Sequence, residues 1–149
     1  MNGTRHWCRR HPGGANLNPM RITRIAHVGI AVTDLDGLLP LYRDVLGMTD
    51  APIDDADGAR ISAFTAGESL VELLEPAHAA TPVGKFLQTR GPGLHHICFA
   101  VDDLDAALDR CRTAGILLID HTPRLGAEGK RIAFLHPKST GGVLIELTE

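Results

Sequence analysis

No apolar run in this chain of 149 residues approaches the roughly 18 residues that a membrane-crossing helix needs, so no membrane partner is expected. Nor is there an excess of charge of either sign. Fifteen Lys and Arg stand against 18 Asp and Glu, a net charge of −3, which offers nucleic acid no basic surface. Cysteine is scarce: Cys8, Cys98 and Cys111 are odd in number and lack the paired spacing of a zinc knuckle or a disulfide framework. They suit a reducing, cytoplasmic setting, with Cys98 and Cys111 as small core or cavity residues. The first twenty residues contain no acid, carry Arg5, Arg9 and Arg10, and run out in Pro, Gly and Asn. They lack the apolar centre of a secretory signal, and Gly and Pro spoil an amphipathic targeting helix. Residues 1–21 are therefore expected to be a disordered tail. The remainder, 22–149, is one domain's worth of chain, with the 44% hydrophobic and 22% charged composition of an ordinary globular protein.

What the chain does contain is a duplication. His27 to Asp36 reads HVGIAVTDLD, and 69 residues later His96 to Asp105 reads HICFAVDDLD, with six of ten positions identical. A second echo closes each copy, Val71-Glu72-Leu73 against Ile145-Glu146-Leu147. Each copy opens on a histidine and ends on a glutamate, both in strand-like surroundings.

Each copy reads as strand, helix and further strands. Arg24 to Val32 alternates at period two. Asp34 or Asp36 then caps a helix with Leu35, Leu38, Leu39, Tyr42, Val45 and Leu46 on its apolar face, and Gly47 ends it. Asp50 to Gly58 reads as a loop, and strands follow at 60–65 and 69–74. A connector helix begins with Thr81-Pro82 and ends at Gly91. The second copy has a strand at 94–101, a helix capped by Asp103, and strands expected near 116–119, 131–136 and 142–148. The fold class is thus α+β. Two tandem βαβββ modules, about 22–76 and about 93–149 with a connector at 77–92, are expected to pair into one strongly curved mixed sheet.

Strand alternation puts His27, Gly29 and Ala31 on one face, with the bulkier Val28, Ile30 and Val32 on the other, under the helix. His96, Cys98 and Ala100 repeat this. Open volume therefore lies beside each imidazole. Glu72 and Glu146, each mid-strand among apolar neighbours, need partners, because a buried unpaired carboxylate is costly. Two neutral imidazoles and two carboxylates balance a divalent cation, and this mixed N/O set suits Co, Mn, Ni, Zn or Fe. An octahedral ion so held keeps two positions open, as a Lewis acid requires. The repeat selects His96 over His95, which aligns with Ala26 and is expected to face the other way.

These segments, with VELLEP (71–76), GLHHICFAVDDLDAA (93–107) and GKRIAFLHPKSTGGVLIELTE (129–149), resemble the vicinal oxygen chelate superfamily and, within it, the methylmalonyl-CoA epimerases. The resemblance covers about 25–149. It implies an isomerase that inverts C2 of an acyl-CoA, with chelation of the substrate's thioester carbonyl and carboxylate stabilising the enediolate formed on proton loss. By the same resemblance the ligands are His27, Glu72, His96 and Glu146, and Glu146 is also an acid/base. Inversion needs a second such group on the opposite face of the carbon. Where some epimerases place a further glutamate this chain has Ile61, so that role has no assigned residue. The resemblance also implies a homodimer, and sets His136-Pro137-Lys138 near the substrate entrance. His121, Glu128 and the loop aspartates Asp54, Asp55 and Asp57 receive no role. Competing readings are another metalloenzyme of the superfamily, such as a glyoxalase-type lyase or a dioxygenase, and a binding member that sequesters a ligand without chemistry.

Overall fold

The computed structural model describes residues 20–149, so Cys8 and nearly all of the stretch read as a tail lie outside the described residues. Among these residues no helix is long and apolar enough to cross a membrane. The two histidine-bearing segments become β1 (Ile22–Ala31) and β5 (Gly93–Val101), paired antiparallel at the centre of one eight-stranded sheet. Outward from β1 lie β4 (Ser69–Pro76), β3 (Ala59–Ala66) and β2 (Asp50–Ala51). Outward from β5 lie β8 (Leu144–Thr148), β7 (Arg131–Leu135) and β6 (Arg124–Leu125). In each half the closing strand runs parallel to the opening strand and the others are antiparallel. The duplication in sequence is therefore a duplication in topology.

The helices follow from their caps. The Asp34 carboxylate accepts from the Gly37 N–H to start α1 (Leu35–Pro40), and Asp103, its repeat counterpart, accepts from Ala106 to start α3 (Leu104–Thr113). A second carboxylate reaches each helix start from the closing strand: Glu75 takes the Leu35 N–H at 3.0 Å, and Glu149 takes that of Leu104 at 3.2 Å. α2 (Pro82–Arg90) is capped by Thr81 and ends at Gly91, whose φ of +74° suits glycine.

Two cores lie beneath α1 and α3. Leu35 with Val32, Phe64 and Leu73 fills the first, and Leu104, Ala107 and Leu108 with Val101, Ala133, Leu135 and Leu147 the second. Burying a leucine this completely contributes about 1.5–3 kcal/mol. A smaller cluster of Ala31, Ala59, Leu74 and Val83 joins α2 to the opposite face of the sheet.

Three expectations are corrected. The first helix does not keep one apolar face to Leu46. Pro40 has no N–H to continue the α ladder, and residues Leu41–Val45 widen into a π turn closed by Leu46 N–H to Leu41 O at 2.9 Å. That change of phase leaves Val45 76% and Leu46 57% exposed. The stretch 50–58 is not loop throughout, because Asp50–Ala51 pair with Phe64 and Ala63 as β2. The segment 116–119 is not a strand; only Leu118 bridges to Leu135, and the short edge strand is Arg124–Leu125.

Candidate metal centre

The face of the sheet away from α1 and α3 encloses a cavity of about 180 Å³. Its walls come from both modules, with Ala59, Ile61 and Leu74 on one side and Ile132, Phe134 and Leu144 on the other. His27, Glu72, His96 and Glu146 all line it, and all four are at least 94% buried. The four side chains that the repeat singles out thus meet in one place.

The register explains the convergence. Along β1 and β5, Gly29 stands opposite His96 and His27 opposite Cys98, so each imidazole crosses a small residue of the other module. At Gly29 the fit is close: an added Cβ would fall 2.6 Å from His96 Nδ1 and 2.9 Å from Nε2. On the flanking strands Glu72 lies beside Gly29 and Glu146 beside Cys98. Cys98 and Cys111 are free thiols, and burial together with the charge of Glu146 keeps Cys98 protonated.

His27 Nε2 lies 3.0 Å from His96 Nε2, and Glu146 Oε2 lies 3.2 Å from each of them. Donor atoms bound about 2.1 Å from one ion at right angles stand about 3 Å apart, so this triangle fits a metal. Glu72 Oε1 stands at the other edge of the His27 ring, 3.4 Å from Nδ1. Both of those atoms are buried without a hydrogen-bond partner. Orphaned buried acceptors are rare in a finished core, and a cation ligated by Glu72 would satisfy its oxygen, while His27 Nδ1, on the far edge of the ring from the triangle, would stay unpaired. Taken by donor atoms within 4.8 Å of one another, two groups overlap at His27: one adds Glu72 and His96, the other Cys98 and Glu146.

The protonation states bear on the same point. Burial would raise Glu146, but the hydrogen bond from His27 and the proximity of His96 outweigh this and hold it down to about 2. Burial would lower His27, yet the bond to Glu146 and the nearby charge of Glu72 leave it raised. Glu72 is raised to about 7, mainly by burial, because the charge of His27 only partly offsets desolvation. Without a cation the pocket thus carries one carboxylate more than it readily holds ionised.

His95 does not face away from the site, as strand alternation predicts. It lines the cavity beside His96, with Nδ1 at 2.9 Å from His96 Nδ1, and burial followed by the neighbouring His96 lowers it to about 4. Glu128 also lines the cavity, ion-paired with Lys130 at 2.9 Å. Asp57 lies at the rim, where Arg124 grips it through two nitrogens at 3.1 and 3.0 Å while covering the Phe134 ring. Arg124, Glu128 and Lys130 sit in a polar, irregular stretch with no periodicity to single them out. Ile61 is on the wall, and Asp55 is spent on the Ile61 N–H. Lys138 is exposed and borders neither the cavity nor the groove beside it, and His136 Nδ1 caps the short helix Pro137–Ser139. That groove, of about 490 Å³, shares Pro82, His95 and Leu144 with the cavity and is flanked by Lys85 and Arg90 of α2.

A curved sheet of two βαβββ halves with a His/Glu cluster on its concave face defines a class, and the chain belongs to the glyoxalase/bleomycin resistance protein/dioxygenase superfamily, whose profile matches residues 26–134. Within that class, methylmalonyl-CoA epimerases are among its relatives. It is 40% identical over 132 residues to the ethylmalonyl-CoA/methylmalonyl-CoA epimerase of Cereibacter sphaeroides, covering 86% of this chain and 98% of that protein. The crystal structure of methylmalonyl-CoA epimerase from Mycobacterium tuberculosis superposes with a TM-score of 0.81 at 38% identity, covering 93% of each chain. A methylmalonyl-CoA epimerase in complex with methylmalonyl-CoA and NH4+ superposes with a TM-score of 0.80 at 38% identity, covering 86% of this chain and 94% of that one.

Proposed function

We propose that the protein is a metal-dependent methylmalonyl-CoA epimerase, removing and returning the proton at C2 of the acyl group. The observation that carries this reading is the triangle of His27 Nε2, His96 Nε2 and Glu146 Oε2, with sides of 3.0 to 3.2 Å, at the floor of an apolar cavity in a chain related to epimerases. His27, His96, Glu146 and Glu72 hold the divalent ion, one of Co, Mn, Ni, Zn or Fe. When bound, it supplies a Lewis acid that makes the C2 proton more acidic and offsets the charge left behind.

The chain's own groups do the rest. A cavity of about 180 Å³ has room for the small branched acyl head but not for a whole coenzyme. The arm of the acyl-CoA continues into the neighbouring groove, where Lys85 and Arg90 meet its phosphates, and no Asp or Glu lines that groove. Ile61, Leu74, Val83, Ile132 and Phe134 keep water from the reacting carbon. Glu146 takes the proton on one face. For the other face, Ile61 brings no carboxylate; Asp57 and Arg124 are paired with each other, and the other ionisable groups left on the wall are Glu72, His95, Glu128 and Lys130. The same reading makes the protein a cytoplasmic homodimer, in keeping with free Cys98 and Cys111.

The test is incubation of the purified protein with one epimer of methylmalonyl-CoA in D2O, with added Co2+ and with a chelator. Deuterium should enter C2 and the other epimer should appear only with the ion present. A Co2+-loaded protein that neither exchanges nor epimerises this substrate overturns the reading. Replacing the second proton-transfer group should leave exchange of one epimer while abolishing interconversion, which sorts Glu72, His95, Glu128 and Lys130.

A further inference from the structure

His95 is out of step with its strand. In the β1–β5 ladder Gly29 pairs with His96 but Ile30 pairs with Leu94, which leaves His95 as an extra, unpaired residue. A residue inserted in this way escapes the alternation of faces and re-aims its side chain. In β1 the ladder passes from Ile25 opposite Phe99 to His27 opposite Cys98, leaving Ala26 as the extra residue. Ala26 and His95 are repeat counterparts, so both modules carry the bulge immediately before the cavity histidine. Only the second bulge carries a side chain that can hydrogen-bond.

The bulge brings His95 Nδ1 to 2.9 Å from Nδ1 of His96 and rests its ring edge-on against Phe86 at 4.9 Å. Two Nδ1 atoms at this separation share one proton: one ring donates and the other accepts. His96 Nε2 is the atom directed at His27 Nε2 and Glu146 Oε2, so its lone pair must be free for it to serve as a ligand. The His96 proton then belongs on Nδ1, donated to His95. His95 accepts through Nδ1 and keeps its own proton on Nε2. Without that acceptor the buried Nδ1–H of His96 is unsatisfied, and the tautomer protonated on Nε2, which cannot bind metal, becomes competitive.

We propose that His95 is a positioning residue that fixes the tautomer and ring plane of His96, an inference that rests on His96 being a metal ligand. The two imidazoles are then supported by different means. His27 Nδ1 has only the charge of Glu72 3.4 Å away and no hydrogen bond, while His96 Nδ1 is hydrogen-bonded to a second imidazole. A neutral supporting group on one side adds no further negative charge to a pocket that already holds two carboxylates.

The experiment reads the tautomer and the metal separately. In 15N-labelled, metal-free wild-type protein, long-range proton–nitrogen spectra should show His96 protonated on Nδ1 and bare on Nε2. His95→Leu, which fills the space against Phe86 without accepting a hydrogen bond, should lose that single tautomer. It should also bind Co2+ about 10–100-fold more weakly, the usual effect of losing a group that orients a ligand. His95→Gln, whose amide oxygen can accept, should restore both to within a few-fold of wild type. A merely structural role for His95 would not give rescue by an acceptor alone. His96 protonated on Nε2 in the wild type, or His95→Leu binding Co2+ as tightly as wild type, overturns this inference and leaves the metal site standing. Wild-type protein that takes up no Co2+ overturns both. His95→Ala serves as a third variant, its folding checked by circular dichroism.

Discussion

A missing methyl group at Gly29 is what lets one module's histidine lie across the other module's strand. An alanine there would place its Cβ 2.6 Å from His96 Nδ1, well inside contact distance. The His96 ring cannot yield freely, since His95, Phe134 and His27 all abut it. Gly29→Ala is therefore expected to push the imidazole off the triangle, weakening Co2+ binding by at least tenfold. Overpacking of this kind also costs about 1–3 kcal/mol of stability. Calorimetric titration with Co2+ and urea denaturation measure the two effects, and wild-type affinity in a folded Gly29→Ala protein would disprove the geometry.

At the scale of elements, the two modules solve the start of a helix in the same way. Asp34 and Asp103 cap α1 and α3, and Glu75 and Glu149 bond the next N–H from the closing strands. Arg60 links Asp36 to Glu75, and Arg131 links Asp105 to Glu149. These ion pairs are half-exposed and contribute little singly; their geometry orients the carboxylates. The cap matters more. Asp103→Ala should destabilise the protein by about 1 kcal/mol in urea denaturation. α3 packs on the face of the sheet away from the cavity, so exchange at C2 should continue at the wild-type rate. A lost exchange rate would show that α3 positions the site.

At the scale of the whole molecule, the pocket couples folding to pH. In the metal-free protein Glu72 is raised from 4.5 to about 7 and His27 is raised above 6.5. A group whose pKa rises on folding stabilises the fold below its unfolded value and loses that contribution as pH climbs through the folded one. For Glu72 the loss falls between 4.5 and about 7 and amounts to roughly 3 kcal/mol. Glu146, held at about 2, acts oppositely and loses its contribution only as pH falls below 4.5. His95, lowered to about 4, acts against Glu72, since its contribution is gained as pH rises from about 4 to 6.5. Chelator-treated protein should thus lose stability between pH 6.5 and pH 8 by denaturant titration, and Glu72→Gln should flatten that slope. Co2+ should reverse it, because the ion competes with the proton on Glu72 and stabilises whichever state binds it. Equal stability at both pH values without metal would refute the buried-carboxylate account.

The repeat told which four residues converge because duplicated segments take duplicated places. His27 and His96 head equivalent strands and Glu72 and Glu146 close them, so a sheet symmetric about β1 and β5 must bring them together. Period-two alternation and the capping residues Thr81 and Asp103 likewise made β1, β5, α2 and α3 legible, since each rests on contacts a few residues apart. The edge strands were not legible: β2 and β6 are two residues each and exist only because β3 and β7 offer free edges. Nor was the side that His95 faces, because a bulge arises from the match of two strands' registers and no single strand's pattern records it. Arg124, Asp57, Glu128 and Lys130 reach the cavity by the same long-range route, through loops whose positions are set by what they meet. Sequence by itself determined the duplicated frame and the four side chains that meet in it, through periodicity and local hydrogen bonding. The pairing of β1 with β5 decided the rest, because distances between modules depend on register and twist, which only the assembled sheet defines.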